Sequence, residues 1–255
     1  MLNNPKQVKE ELVAWIREYF AKNVEGCSAV VGISGGKDSS VVAALCKEAL
    51  GKERVLGVLM PNGVQPDIED SREVVRHLDI PYVEVNIQSA CDALLGAMLE
   101  APNFTAVTGR EEHGLDAKIN LPARLRMTTL YAMGQNLPKG ARVANTCNGS
   151  EDYVGYSTKF GDAAGDFSPL ANLLVEEVRQ IGQELDLPQY LVNKLPSDGL
   201  SGKSDEDKLG FTYEVLDKYI LTGICEDKEV KERIDRLHKL NLHKLESMPS
   251  FPVKR

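Results

Sequence analysis

The sequence predicts an α/β fold: one domain with a parallel β-sheet flanked by helices, ending in a helical C-terminal part. Three observations carry this expectation. Short β-branched apolar runs alternate with helical patterns, the order that builds a parallel sheet through crossover helices. The 255 residues, 42% hydrophobic and 27% charged, fit one large domain with a sizeable core. No internal repeat or low-complexity linker divides residues 1–255.

From Lys6 to Asn23, the apolar residues Val8, Leu12, Trp15, Ile16 and Tyr19 follow helical spacing. Ala29 to Ile33 is short, β-branched and apolar, as expected of a strand buried on both faces. A glycine turn leads to a helix from Val41 to Leu50, stopped by Gly51. Val55 to Met60 reads as a second buried strand, Asp67 to Leu78 as a helix, Tyr82 to Ile87 as a third strand and Ala90 to Leu99 as a helix. Residues 101–117 have no clear period and read as a loop before a long helix from Ile119 to Gln135 and a strand from Arg142 to Thr146. Gly155 to Pro169 is rich in glycine and aspartate and reads as a working loop. Val175 to Leu185, Phe211 to Ile220 and Lys228 to Leu240 are helical, with the polar stretch Pro196 to Lys208 between them.

Charge and cysteine usage exclude several function classes. Thirty Lys and Arg stand against 38 Asp and Glu, a net charge of −8, which disfavours broad binding to nucleic acid. An anionic ligand must therefore be met by a local cluster of donors. No apolar run approaches the roughly 18 residues of a membrane span, and the charged start MLNNPKQVKEEL lacks the apolar stretch of a secretory signal. Five scattered cysteines with no CxxC spacing predict reduced thiols and a cytoplasmic protein rather than a disulfide framework or zinc site. The four histidines form no spaced ligand set, and no Ser-His-Asp or Cys-His arrangement is evident.

The strongest local signal is Ser34-Gly35-Gly36-Lys37-Asp38-Ser39-Ser40, between the first strand and the next helix. Paired glycines let the backbone approach a ligand closely. A helix start offers free N–H groups and the positive end of its dipole, so the segment is an anion site. The spacing fits neither the Walker A loop nor the GxGxxG fingerprint. A carboxylate beside bound phosphate needs a bridging cation, which makes Asp38 a candidate Mg²⁺ ligand.

Ser-Gly-Gly-x-Asp-Ser after a buried strand resembles the loop of the ATP pyrophosphatase superfamily, whose Rossmann-like fold is also called adenine nucleotide alpha-hydrolase-like. The resemblance implies cleavage of ATP between its α and β phosphates, with residues 34–40 holding the pyrophosphate. Three further stretches narrow the resemblance to the NAD synthetases. Asn120-Leu-Pro-Ala-Arg124-Leu-Arg126-Met127 is similar to that family's Asn-x-x-Ala-Arg-x-Arg-Met. Here Asn120 is expected to cap a helix with Pro122 in its first turn. At about 100° per residue, Arg124 and Arg126 point to different faces, and the resemblance implies that Arg126 meets the nucleotide. Thr146-Cys-Asn-Gly-Ser-Glu151 and Gly155-Tyr156-Ser-Thr-Lys159-Phe-Gly-Asp162 resemble the next motifs. They imply that Thr146 contacts ATP, that Glu151 joins Asp38 on Mg²⁺, and that Lys159 and Asp162 face the second substrate. Pro196-Ser197-Asp198-Gly199-Leu200 then places Ser197 where a hydroxyl meets ATP, and His243-Lys244 resembles a short basic motif closing the dinucleotide site.

The resemblance covers residues 28–249 of the chain and implies an ammonia-dependent NAD synthetase of ATP-pyrophosphatase type along residues 1–255. Its substrates are ATP, deamido-NAD and ammonia, with a homodimer as the implied assembly and neither nucleic acid nor membrane as a partner. Asp162 and Lys159 are the expected catalytic residues, and Asn120, Arg124, Tyr156, Lys159, Asp162, His243 and Lys244 the expected substrate-binding set. One departure stands out. Many members carry a phosphate-contacting lysine where this chain has Val175, and Lys37 inside the loop is the available substitute.

Overall fold

The computed structural model describes residues 1–194 and 204–253. Strands β1 (Ser28–Gly32), β2 (Val55–Leu59), β3 (Tyr82–Glu84) and β4 (Ala141–Val143) form one sheet in the order β3-β2-β1-β4. Every pairing in it is parallel. The chain steps outward from β1 to β2 and β3, then returns to the opposite side of β1. Connections after β1 and β4 therefore leave in opposite directions, opening a crevice at the carboxyl ends of these two strands.

Alternation within β1 sends Ala29 and Val31 to one face of the sheet and Val30 to the other. The first face is covered by α1 (Pro5–Asn23), α2 (Lys37–Leu50), α3 (Ile68–Leu78), α8 (Val175–Glu184) and α9 (Gln189–Val192), through Ile16, Phe20, Val41, Leu45, Val74, Ile181 and Leu191. The second is covered by α4 (Gln88–Leu99) and α6 (Leu115–Gln135), through Cys91, Met127 and Leu130 against Val30, Val58 and Val143. Burial of this kind, at about 25 cal/mol per Å² of apolar surface, is what sets the layers. The short helix α5 (Phe104–Thr108) precedes α6. A separate apolar cluster joins α7 (Gly149–Val154), α10 (Asp205–Leu209), α11 (Tyr213–Thr222) and α12 (Lys228–Asn241) through Val154, Leu209, Phe211, Leu216 and Ile234.

Several boundaries differ from the sequence expectation. Helix α2 begins at Lys37, so half of the glycine loop is already its first turn. Strand β3 stops at Glu84, although Val85 and Ile87 still donate N–H bonds to Leu59 and Pro61. The aperiodic 101–117 stretch contains α5 and the start of α6. Because α6 begins behind Gly114, Asn120 is not its cap but lies inside the helix, its Nδ2 donating to the Asp116 carbonyl at 2.8 Å. Pro122 is likewise interior and buried, removing the bond the Lys118 carbonyl would otherwise receive.

Candidate functional site

The crevice is built first by the loop after β1. Gly35 has φ +78°, and a Cβ there would lie 2.7 Å from the Ser71 backbone nitrogen, so both conformation and space demand glycine. Gly36 starts α2 without a side-chain cap, leaving the first N–H groups of α2 open for an anion. The serine hydroxyls hold the loop together. Ser34 Oγ lies 3.1 Å from Ser39 Oγ, and Ser40 Oγ donates to the Gly36 carbonyl at 2.7 Å. Of the loop residues expected on a nucleotide, Ser34 lines the cavity; the side chains of Ser39 and Ser40 are buried beneath.

The loop after β4 brings the second carboxylate. Asn148 caps α7, accepting N–H bonds from Ser150 and Glu151, while Glu151 reaches back to the Asn148 N–H at 3.3 Å. The Asn148 Nδ2 also donates to Asp38 Oδ1 at 3.0 Å, tying the two loops across the crevice. Burial, and then the charge of Asp38, push the Glu151 carboxyl up to about 8. On the other Asp38 oxygen sits the Lys37 ammonium, at 2.7 Å. Burial pulls Lys37 down, but Asp38 and Glu151 outweigh it and hold the ammonium above its ordinary value. Among the described residues no cluster of three or more metal-type ligands occurs. Two repelling carboxylates nonetheless fit a hard divalent cation such as Mg²⁺, which commonly takes one or two protein carboxylates and completes its shell with phosphate oxygens and water.

Beside the loop, at Ser34, opens a cavity of about 720 Å³, whose lining includes neither Asp38 nor Glu151. Its walls include Ser34, Asn120, Arg126, Thr146, Tyr156, Asp162 and Lys244, bringing together expected residues from five separate segments. Arg126 leans over the carboxyl end of β2, its Nε donating to the Met60 carbonyl at 3.0 Å. Burial lowers its pKa, opposed by Cys91 and Asp162. Arg124, two residues away, faces outward and donates to the Lys159 carbonyl at 3.2 Å. Asp162 is raised by burial, although its Oδ1 accepts the Thr158 N–H at 2.9 Å. Asn120 Oδ1 accepts from the Thr158 hydroxyl at 2.7 Å, and the Tyr156 hydroxyl donates to Asp205 at 3.0 Å.

The basic residues around 155–162 hold that loop from outside. Lys244 Nζ donates to the Gly155 and Ser157 carbonyls at 2.6 and 2.7 Å, and Lys159 Nζ donates to the His243 carbonyl. Burial pulls Lys244 below the ordinary lysine value, with Asp162 acting against it. Gly155, at φ +63°, leaves no room for a Cβ against Asn241, which lets the end of α12 close over the loop. Ser197 lies outside the described residues.

The NAD synthase family matches residues 8–251 of the chain. The chain belongs to that family. It is 37% identical to the NH(3)-dependent NAD(+) synthetase of Finegoldia magna, over 99% of this chain and 98% of the relative. Among solved structures, the NMN synthetase of Francisella tularensis superposes with a TM-score of 0.86 at 34% identity, covering 98% and 99% of the two chains. The NH3-dependent NAD synthetase of Campylobacter jejuni, solved with a nitrate ion, gives 0.76 at 28%, covering 99% and 100%. The chain thus shares its fold with these two synthetases along essentially their whole length.

Sequence reasoning missed several residues that build this crevice. Asn148 bridges the carboxylates, and its signal was present as Asn-x-x-Glu, the spacing of a capping box. Asn145 is buried and organises both sides of Thr146: its Nδ2 donates to the Asp162 and Ala164 carbonyls, and its Oδ1 accepts from the Cys147 N–H and the Ser168 hydroxyl. Lys194 clamps Asp67, on the cavity wall, and Asp70 at 2.7 and 2.6 Å. At Val175 the first turn of α8 is satisfied locally, its N–H donated to Ser150 Oγ at 3.1 Å. All five cysteines are free thiols, and among the described residues no helix is long and apolar enough to cross a membrane.

Proposed function

We propose that the protein amidates deamido-NAD with ammonia at the expense of ATP, yielding NAD, AMP and pyrophosphate, with residues 1–255 acting as one catalytic unit. The observation that carries this reading is the family match along residues 8–251. An oxygen of the nicotinate carboxylate attacks the α phosphorus, the Pα–O–Pβ bond breaks, and pyrophosphate leaves. Ammonia then attacks the acyl carbon, the bond to AMP breaks, and one proton is released. Adenylation is needed because oxide is a poor leaving group from a carboxylate.

Catalysis in this reading is mainly positioning and charge neutralisation. The open N–H groups at the start of α2 receive the departing pyrophosphate, with Ser34, Gly35, Gly36, Ser39 and Ser40 shaping the loop. Arg126 and Thr146 flank ATP on the cavity wall, and Ser197 is assigned to ATP by resemblance. Asp38 and Glu151 would hold Mg²⁺, which would supply neutralisation of phosphate charge. Asn120, Tyr156, Asp162 and Lys244 face the dinucleotide, while Arg124, Lys159 and His243 hold the loop that carries it. Asp162, raised by burial, is suited to accept the proton from ammonium. We also infer a homodimer, supported by exposed Leu94, Met98, Leu115 and Ile119 along α4 and α6, and a cytoplasmic location, supported by the free thiols.

The TM-score of 0.86 to an NMN synthetase favours a second reading, in which nicotinate mononucleotide is the acceptor. Both acceptors present the same carboxylate. Steady-state assays with each, scored for AMP and for NAD or NMN, distinguish them: the larger kcat/KM names the substrate. AMP release with neither acceptor would defeat both readings.

A further inference from the structure

Lys37 is the least accessible charged side chain at the site, with 2% of its surface exposed. An ammonium has three N–H donors, yet the only hydrogen-bond acceptor it reaches among the described residues is Asp38 Oδ2 at 2.7 Å. The other charges acting on it are Glu151, which favours the ammonium, and Arg179, which opposes it. Arg179 is itself paired with Glu176 at 3.1 Å. The pair Asp38 and Glu151 thus carries a resident cation, and with both carboxylates ionised the net charge presented by the three groups is −1 instead of −2.

We propose that Lys37 is the built-in counter-ion of the Asp38–Glu151 pair, so that the site takes up a divalent cation only together with the nucleotide's phosphates. This rests on the reading that Asp38 and Glu151 hold the metal. A bare dication approaching the pair meets one net negative charge and a fixed ammonium bonded to one of its ligand oxygens. Triphosphate changes this balance. It brings the negative charge that the dication needs, and it gives Lys37 acceptors for its two unused N–H groups. Lys37 is therefore a positioning residue that sets the order of loading, nucleotide with metal rather than metal first.

The test is a Mn²⁺ titration of the nucleotide-free full chain, followed by electron paramagnetic resonance under argon at pH 8.5. Lys37→Gln keeps a donor for Asp38 and removes the charge; Lys37→Met removes both; Lys37→Arg keeps the charge. The expected result is Mn²⁺ binding at least tenfold tighter in the Gln and Met variants than in the wild type. Lys37→Arg should stay near the wild-type affinity, and Asp38→Asn added to Lys37→Gln should abolish the gain. Equal affinity in wild type, Gln and Met variants, with loss in Asp38→Asn, would overturn the counter-ion role while leaving the metal ligands in place. Mn²⁺ binding indifferent to Asp38→Asn in every background would overturn the metal assignment and the proposal with it.

Discussion

The two walls of the crevice are constructed differently. The wall made by residues 34–40 and 146–151 is wired internally: an uncapped helix start, a glycine that admits no Cβ, and two carboxylates bridged by Asn148 and countered by Lys37. The wall made by residues 155–162 is held by long cationic side chains, Lys244, Lys159 and Arg124, each donating to a main-chain carbonyl. The first places charge before any ligand arrives, as phosphoryl chemistry requires. The second is tied to the C-terminal helix end and fixes a loop rather than a charge. The difference is that the first wall is preorganised by its own loop, whereas the second is assembled through α12; in the proposed function these are the nucleotide half and the acceptor half.

Substitutions that break the first wall should have the largest effects. Asp38→Ala and Glu151→Ala are each expected to reduce Mg²⁺-dependent kcat by about 10²–10³ or more, the scale of losing a main electrostatic stabiliser; stopped-point AMP assays with a circular dichroism check of folding measure this. Gly35→Ala is next. It forces a side chain into positive φ and against Ser71, at about 1–3 kcal/mol, so the melting temperature should fall and KM for ATP rise severalfold. Breaking the second wall should separate the substrates: Lys244→Met is expected to raise KM for the acceptor about tenfold, the scale of leaving buried carbonyls unpaired, with KM for ATP little changed.

The smallest effect sharpens the comparison through pH. Glu151 is raised from 4.5 to about 8, so the folded protein binds its proton more tightly than the unfolded chain. Its contribution to stability is fully present below pH 4.5 and is lost as pH rises through about 8. Asp152, raised to about 6 by burial and Asp162, acts in the same direction at lower pH. Ligand-free thermal stability should therefore fall as pH rises from 4.5 to about 8, and Glu151→Gln should flatten that slope. A slope unchanged in the variant would contradict the buried, repelled carboxylate.

The layers were legible in the sequence because β-branched runs such as Ala29 to Ile33 alternate with helical periods, and burial on both faces enforces that pattern. The switch point was not, since strand order depends on which faces pack, as with β4 returning beside β1. The motif strings named Asp38, Glu151, Arg126 and Asp162; the fold places Arg126 and Asp162 on one cavity wall and ties Asp38 to the Glu151 helix through Asn148. What the strings could not convey was division of labour. Arg124 and Lys159 turn to carbonyls because α6 and the end of α12 flank the loop, a relation set by tertiary packing. Asn120 looked like a cap because Pro122 follows it, but α6 starts five residues earlier behind Gly114 and tolerates the proline inside.

The central claim is that ATP is used to adenylate the acceptor's carboxylate in the crevice between β1 and β4. Acceptor labelled with ¹⁸O in both carboxylate oxygens tests it directly, with mass spectrometry of the AMP formed in the presence of Mg²⁺ and ammonium. The account predicts one ¹⁸O in each AMP and one retained in the product amide. Unlabelled AMP, or label in pyrophosphate, would contradict it.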